Sequence, residues 1–268
     1  MQNGWRYYNH ALIPTTAPHE PVDKSKMNLR VSGVLFARWT EEFDCNKKTL
    51  WWYVIKDTPF DIKDLKAKRR YEINKGLKNF DVKVINASEF AEELFEITFL
   101  AYAQYPAKYR PIIDREKLKK DISGWDKHIV FGAFYKETNQ LCGYAWINEF
   151  DSYVDFACMK VNPEYERLGI NAAIVYSIID MYNKRLCKAF YICDGARATI
   201  HETNFQNYLE KYFGFRKAYC KLKIRYRFPI GIIVKILYLF RNIIPKDNRL
   251  TVKISNVLLY EEIARESR

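Results

Sequence analysis

The sequence predicts an α/β (α+β) protein with a mixed, largely antiparallel central sheet flanked by helices. Two observations carry this. From residue 80 onward the apolar pattern switches between period two and period 3.6 in the order β-α-α-β-β-β-α-β-α-β. Glycine (10) and proline (9) are sparse, and apolar residues make up 49% against 28% charged. That is a globular composition, and it excludes collagen-like and low-complexity chains. The 268 residues suffice for one large domain or two small ones, with a core that needs no staple.

The elements follow in order. Residues 1–28 read as loop, because Pro14, Pro18 and Pro21 interrupt regular structure. Residues 29–36 and 49–56 read as strands, and Asp57, Thr58 and Pro59 as a turn. Residues 61–76 form a basic helix that ends near Gly76. Residues 80–85 alternate apolar and charged, as a strand does. Asn86 and Glu89 have capping-box spacing for a helix to about residue 105, with Phe90, Leu94, Ile97 and Ala101 on one face. Asp114 can cap a short helix to about Trp125. Strands follow at 129–135, 141–149 and 153–161, the last two close enough to form a hairpin. A loop over 163–169 opens a helix over 170–184, and 187–193 is an apolar strand. A helix over 201–213 ends at Gly214. In the last strand, 216–227, Lys221, Lys223, Arg225 and Arg227 alternate with Leu222, Ile224 and Tyr226. One face is therefore basic and the other buried. The expected organisation is an N-terminal extension over 1–79, a main domain over 80–227 and a C-terminal segment of amphipathic helices over 228–268.

The net charge of +12 is concentrated. Between Arg216 and Lys253, eleven Lys and Arg stand against Asp247 alone. A weaker basic cluster comprises Lys63, Lys66, Lys68, Arg69, Arg70, Lys75 and Lys78. An acidic partner or surface is therefore expected. The apolar stretch that begins at Phe228 and ends at Ile244 carries only Lys235 and Arg241. It is too short and too charged to span a bilayer comfortably. It reads either as a helix packed on the domain or a partner subunit, or as one lying in a membrane interface and drawn to anionic lipid. The six cysteines form no CxxC pair and there are four histidines, so no metal site is expected. The first residues carry no charged segment followed by an apolar run. The expectation is a reducing cytoplasm, with room for membrane association.

Two segments carry a resemblance. Val161-Asn162-Pro163-Glu164-Tyr165-Glu166-Arg167-Leu168-Gly169-Ile170-Asn171-Ala172 is similar to the V-x-P-x-[Y/H]-[Q/R]-x-x-G-x-[G/A] segment of the GNAT superfamily, the GCN5-related N-acyltransferases. Asn204-Phe205-Gln206-Asn207-Tyr208-Leu209-Glu210-Lys211-Tyr212-Phe213-Gly214-Phe215 is similar to that family's N-x-x-A-x-x-L-Y-x-x-x-G-F ending. With the element order, the resemblance covers roughly residues 80–227. The leading strands and the Lys66–Lys78 helix resemble those of Fem-type aminoacyltransferases, a GNAT-fold branch that acts on cell-envelope precursors.

A helix N-terminus offers unpaired N–H groups and a positive dipole end, and Gly169 lets such a backbone approach an anion. The resemblance implies that the anion is the pyrophosphate of acyl-CoA, cradled by Arg167, Leu168, Gly169, Ile170, Asn171 and Ala172. It also implies that Met159, Lys160 and Val161 bind the pantetheine arm and that Asn204 contacts the cofactor. Backbone N–H at Val161 would face the oxyanion. The chain departs from the pattern at four places, one of them a spacing: Asn204 is one residue closer to Gly214 than the pattern has it. Glu166 stands where Gln or Arg is usual, Asn171 where Gly or Ala is, and Glu210 where the acid tyrosine is, with Tyr208 and Tyr212 two residues either side.

Acyl transfer to an amine needs a base within reach and donors facing the developing oxyanion. Glu149, Asp151 and Asp155 are the acids on or beside the hairpin. Glu149 is the first choice and Asp155 the second, with an exposed hairpin carboxylate as the alternative for each. Tyr208 and Tyr212 are the candidate acids. Cys158 reads as a core thiol, His201 as a helix-terminal residue or a base, and Arg197 as a contact for an acidic acceptor or a plain loop residue.

The expected function is N-acyl transfer, most simply acetyl transfer from acetyl-CoA, to an amine such as an amino sugar of an envelope polysaccharide. A Fem-type transferase using aminoacyl-tRNA, whose phosphates suit the basic surface, is the alternative. A non-catalytic GNAT-fold binding module at a membrane or partner surface is the other.

Overall fold

A computed structural model of the chain describes residues 4–106, 110–199, 204–244 and 248–267. The chain forms two units. One is drawn from 1–54, 196–204 and 217–268, the other from 55–195 and 205–216. These limits differ from the expected divisions at 79/80 and 227/228, because distant segments pair within one sheet.

The first unit begins where a loop was expected. Strands β1 (Trp5–Tyr8) and β2 (Ala11–Pro14) form a hairpin with Tyr8 opposite Ala11. Its two-residue turn is Asn9-His10, with φ of 45° and 64°. Positive φ at both turn positions marks the tight hairpin turn whose twist matches the strands. His10 replaces the glycine that usually announces it, so the signal was weak. Strand β3 is Phe36–Glu41, later than the expected 29–36, and pairs parallel to β2 through Ala11–Phe36 and Leu12–Ala37. Trp5, Leu12, Val34 and Ala37 are buried together. Strand β4 (Trp51–Lys56) runs from the first unit into the second.

The second unit opens with helix α1 (Ala67–Asn79), which starts later than expected, after a separate single turn at Ile62–Asp64. Strand β5 (Phe80–Ile85) follows directly. Asn86 caps a short 3-10 turn, accepting from Ser88 N–H, rather than α2 (Ala91–Ala103) itself. Asp114 caps α3 (Arg115–Ile122) as expected, accepting from Lys117 N–H. Strands β6 (Ile129–Tyr135), β7 (Gln140–Glu149) and β8 (Tyr153–Val161) extend the antiparallel ladder from β5. On one side Leu94, Phe95 and Ile97 of α2 pack with Ile122, Val130 and Tyr144. Thr98 Oγ1 shares a 2.7 Å hydrogen bond with Tyr144 Oη there. Helix α4 (Ile170–Tyr182) follows β8. Ile170, Ile174 and Ile178 are fully buried, and Gly143 of β7 leaves the room that the first two fill. Strand β9 is Tyr191–Ala196. It begins later than expected because Cys187 and Phe190 bridge locally. Helix α5 is Asn204–Phe213; the residues expected just before it, with His201, lie outside the described residues.

The chain then returns to the first unit. Strand β10 (Arg216–Tyr226) pairs antiparallel with β3, from Lys221–Glu41 to Tyr226–Phe36. Helices α6 (Ile230–Leu239) and α7 (Arg249–Glu266) complete it. A reciprocal box between Asn248 and Thr251 starts α7. Tyr260 and Ile263 bury against Phe36, Trp51, Cys220 and Leu222, each worth about 1.5–3 kcal/mol against solvent exposure. Glu261 is buried, but Tyr226 Oη (2.9 Å) and Arg265 Nε (2.7 Å) donate to its two oxygens. Each unit is thus a mixed, mostly antiparallel sheet with helices.

Candidate active site

Strands β8 and β9 run parallel for three positions only, Tyr153–Tyr191, Val154–Ile192 and Asp155–Cys193. Beyond them the strands part, while β8 stays paired to β7 as far as Val161. The register shifts at this point: Trp146 faces Cys158 and Ile147 faces Phe156, so Ala157 is the extra residue of a bulge. A bulge bends its strand, here where the neighbour leaves. It also keeps Asp155, Cys158 and Lys160 on one face, opposite Asn148, Trp146 and Tyr144. Asn162 N–H donates to the Cys142 carbonyl at 2.8 Å. Bonded and non-bonded pairs alternate along an antiparallel ladder. The N–H groups of Met159 and Val161 therefore point away from β7, to the edge that β9 has left.

Polar groups gather at this fork. His128 Nδ1 lies 2.5 Å from Asn148 Oδ1, and Asn148 Nδ2 donates to Asp155 Oδ2 at 3.1 Å. The His128 ring rests on Trp146 with centroids 4.4 Å apart. Asp194 is the residue after the last β8–β9 pair. Burial pushes its carboxyl up to about 7; a hydrogen bond from Gln206 of α5 opposes this, and the charge of Asp155 adds to it. Phe205, beside Gln206, packs edge-on to Phe156 of β8 at 5.7 Å, which seats the first turn of α5 on the fork. The expected strand 187–193 stops one residue short of Asp194, which the structure places within β9. The available signal was its position one step past the apolar run Tyr191-Ile192-Cys193, at the carboxyl end of a strand.

The expected catalytic residues are dispersed. Glu149 lies at the far end of β7 opposite Val154. Arg185 Nη1 holds it at 2.5 Å and Tyr182 Oη at 2.8 Å. The Arg185 hydrogen bond, with the smaller one from Tyr182, outweighs its partial burial and lowers its pKa. That is the environment of a structural ion pair. Asp151 is exposed in the hairpin turn. Asp155 is at the fork. Tyr208 lies in an aromatic cluster with Phe205 (6.1 Å), Tyr212 (5.0 Å) and Phe213 (5.6 Å). Its burial holds the phenol protonated, well above the usual range. Tyr212 turns toward α1, with the Arg69 guanidinium 6.0 Å from its ring. Asn204 is exposed at the start of α5.

Lys160 does more than lend backbone. Its ammonium lies 4.4 Å from the Tyr102 ring centre and 3.2 Å from Tyr105 Oη. Burial opposes its charge, but Cys158 and the two phenols outweigh that and keep it protonated. Cys158 is itself pushed up by burial, the environment of an inert thiol. Arg197 is taken by the fold: Nη1 donates to the Leu50 carbonyl at 2.8 Å and the guanidinium covers Trp52 at 4.8 Å. Among the described residues, no group of His, Cys, Asp and Glu could hold a metal ion.

At the expected pyrophosphate corner, α1 packs closely on the start of α4. Gly169 has φ of +87°, and a Cβ there would meet Gly76 N at 2.8 Å and the Glu72 carbonyl at 3.2 Å. A Cβ on Gly76 would meet the Gly169 carbonyl at 2.3 Å. The glycine serves a close approach of α1. Asn79 Nδ2 closes the same corner on the Leu168 carbonyl at 3.0 Å. Ile170 and Ala172 are buried, Asn171 is half-buried, and Arg167 is exposed beside the acid Glu166. The open edge of β8 suits an extended donor arm.

No protein-family model matches the chain, and no curated protein does. Solved structures do. FemX aligns over 73% of this chain and 68% of its own, at 9% identity and a TM-score of 0.50. L-PGS from Bacillus licheniformis aligns over 87% and 69%, at 15% identity and a TM-score of 0.47. The PaiA N-acetyltransferase from Thermoplasma acidophilum, solved in complex with coenzyme A, aligns over 39% and 74%, at 18% identity and a TM-score of 0.30. The forked strands, the bulge and the FemX alignment give one conclusion: the chain has a GNAT-like fold, similar to that of FemX.

Proposed function

We propose that the chain is an acyltransferase working at the β8–β9 fork, with an aminoacyl ester of tRNA as donor and an amine as acceptor. The observation that carries the transfer reading is Asp194. It is a desolvated carboxyl that titrates near 7 beside a strand edge whose N–H groups are free of the ladder. A base poised there accepts a proton from the attacking amine at neutral pH. The edge N–H groups of Met159 and Val161 face the developing oxyanion. Tyr208, held protonated, is a hydrogen-bond donor for the leaving oxygen. Lys160 in its tyrosine pair offers charge to an anionic group of the acceptor.

The basic side chains in and beside α1 favour tRNA as the donor. Helix α1 packs against the start of α4 and exposes Lys68 and Lys78, with Lys66 exposed at its N-cap. Exposed cations around a helix suit a phosphate backbone. The test is binding of charged tRNA against acetyl-CoA, by calorimetry across a salt series. Charged tRNA is expected to bind with a steep salt dependence. Replacing Lys66, Lys68 and Lys78 by Ala together reduces the slope by about 0.7–0.9 for each phosphate no longer neutralised. The open β8 edge favours a second reading, acyl-CoA held by its pantetheine arm alone. Saturable stabilisation by acetyl-CoA, unaffected by those three substitutions, would establish that reading instead.

A further inference from the structure

Helix α6 is packed on one side only. Val234 is buried, and α6 rests on α7. Ile232 (53% exposed), Ile233 (47%), Ile236 (53%) and Leu239 (73%) face solvent. At 100° per residue these four span an arc of roughly 120°, with Val234 opposite its centre. Phe228, Phe240 and Ile243, just beyond the helix ends, are exposed as well. So large an apolar face left in water is an interaction surface. Its rim is cationic. Lys235 borders the arc and is exposed, as are Arg225 and Arg227 at the end of the preceding strand. Tyr238 lies between the guanidinium groups of Arg241 (4.3 Å) and Arg265 (4.1 Å). No acid occurs between Arg216 and Asp247 in the sequence.

We propose that this face docks the protein on an anionic lipid surface, α6 lying in the plane of the interface. Charge decides among the occupants. A second copy meeting this face about a two-fold axis would bring the same cations together, which costs free energy. An anionic bilayer takes up the apolar arc below and the cations above. Helix α6 has ten residues, and no helix of the described residues is long and apolar enough to cross a membrane. It can therefore lie on a bilayer but not span it. The docking face belongs to the first unit alone and does not depend on the transfer chemistry proposed above.

The experiment is flotation of the full chain with vesicles of phosphatidylcholine alone and of phosphatidylcholine with about 30% phosphatidylglycerol, an anionic surface of ordinary charge. Binding is expected only to the anionic vesicles, and weaker at high salt. Replacing Ile232, Ile236 and Leu239 by Ser together is expected to lower the partition coefficient about tenfold or more. Lys235→Glu is expected to lower it about fivefold on anionic vesicles and to leave melting unchanged. These side chains are exposed, so the variants keep the fold, and circular dichroism checks this. Equal binding to both vesicle types, or none to either, overturns the proposal. So does a dimer in solution that the triple substitution dissociates, because a second copy then covers the face.

Discussion

Asp194 and Glu149 show how environment, not residue type, assigns a carboxylate its work. Asp194 lies within β9 and Glu149 ends β7 of the same sheet. One lies desolvated at the fork and titrates near 7; the other is clasped by Arg185 and Tyr182 and titrates below its usual range. A base must be deprotonated to act, so activity is expected to rise with pH through an apparent pKa near 7. Asp194→Asn should remove that limb and lower kcat/KM by about 10²–10⁴. Glu149→Gln should leave the limb in place and cost at most about 1 kcal/mol of stability, because the pair is largely solvent-exposed. Asp194 also sets a stability trend. Its folded pKa is raised, so between about 4 and 7 the folded state binds the extra proton and stability falls as pH rises. Asp194→Asn, which keeps a partner for Gln206, should therefore stabilise the protein at pH 8 by about 2–4 kcal/mol. Urea titrations at pH 5 and pH 8 check both parts; equal effects at the two values would exclude a desolvated carboxyl.

The pairing of α1 with the start of α4 belongs to the scale of elements. Gly76 is mid-helix, where alanine is favoured by about 1 kcal/mol in an unpacked helix. Here the added Cβ would lie 2.3 Å from the Gly169 carbonyl, and neither backbone can yield without shifting a helix. Gly76→Ala is expected to destabilise by about 2–4 kcal/mol net, measured by denaturant unfolding. A stabilised variant would show that the two helices do not touch. This close approach also marks what was legible in the sequence. Elements with strong periodicity appeared close to their predicted places: β5, β6, β7, β8, α3 and β10. The β1–β2 hairpin did not, because Asn9-His10 lacks the glycine that signals its turn. The glycine of the family-like segment was legible as a residue needing special backbone, but its neighbour was not. A close approach to an anion and to a helix leave the same mark in one chain. For Asp194 only the position at the end of an apolar run was legible, not the role, for a related reason. Its burial, and its meeting with Gln206 and Asp155, arise only through the topology.

At the scale of the molecule, long-range pairing sets the behaviour. Helix α7 holds the first unit through Tyr260 and Ile263. Ile263→Ala is expected to cost about 2–5 kcal/mol. The loss should be local: amide exchange speeds up in β3 and β10 and stays slow in β6 and β7. Uniform acceleration in both units would show that they unfold as one. The register of β3 with β10 has a further consequence, for synthesis. Glu41 pairs with Lys221 and Phe36 with Tyr226. On a ribosome adding about 5–20 residues per second, β3 emerges roughly 10–40 s before its partner exists. Throughout that interval it offers an unpaired edge to every other nascent chain nearby. The second unit interrupts the first and has most of its own strands in hand by then, so it can finish while the first waits. Newly made copies of this protein are therefore most exposed to mispairing, and most in need of a chaperone, at the N-terminal sheet.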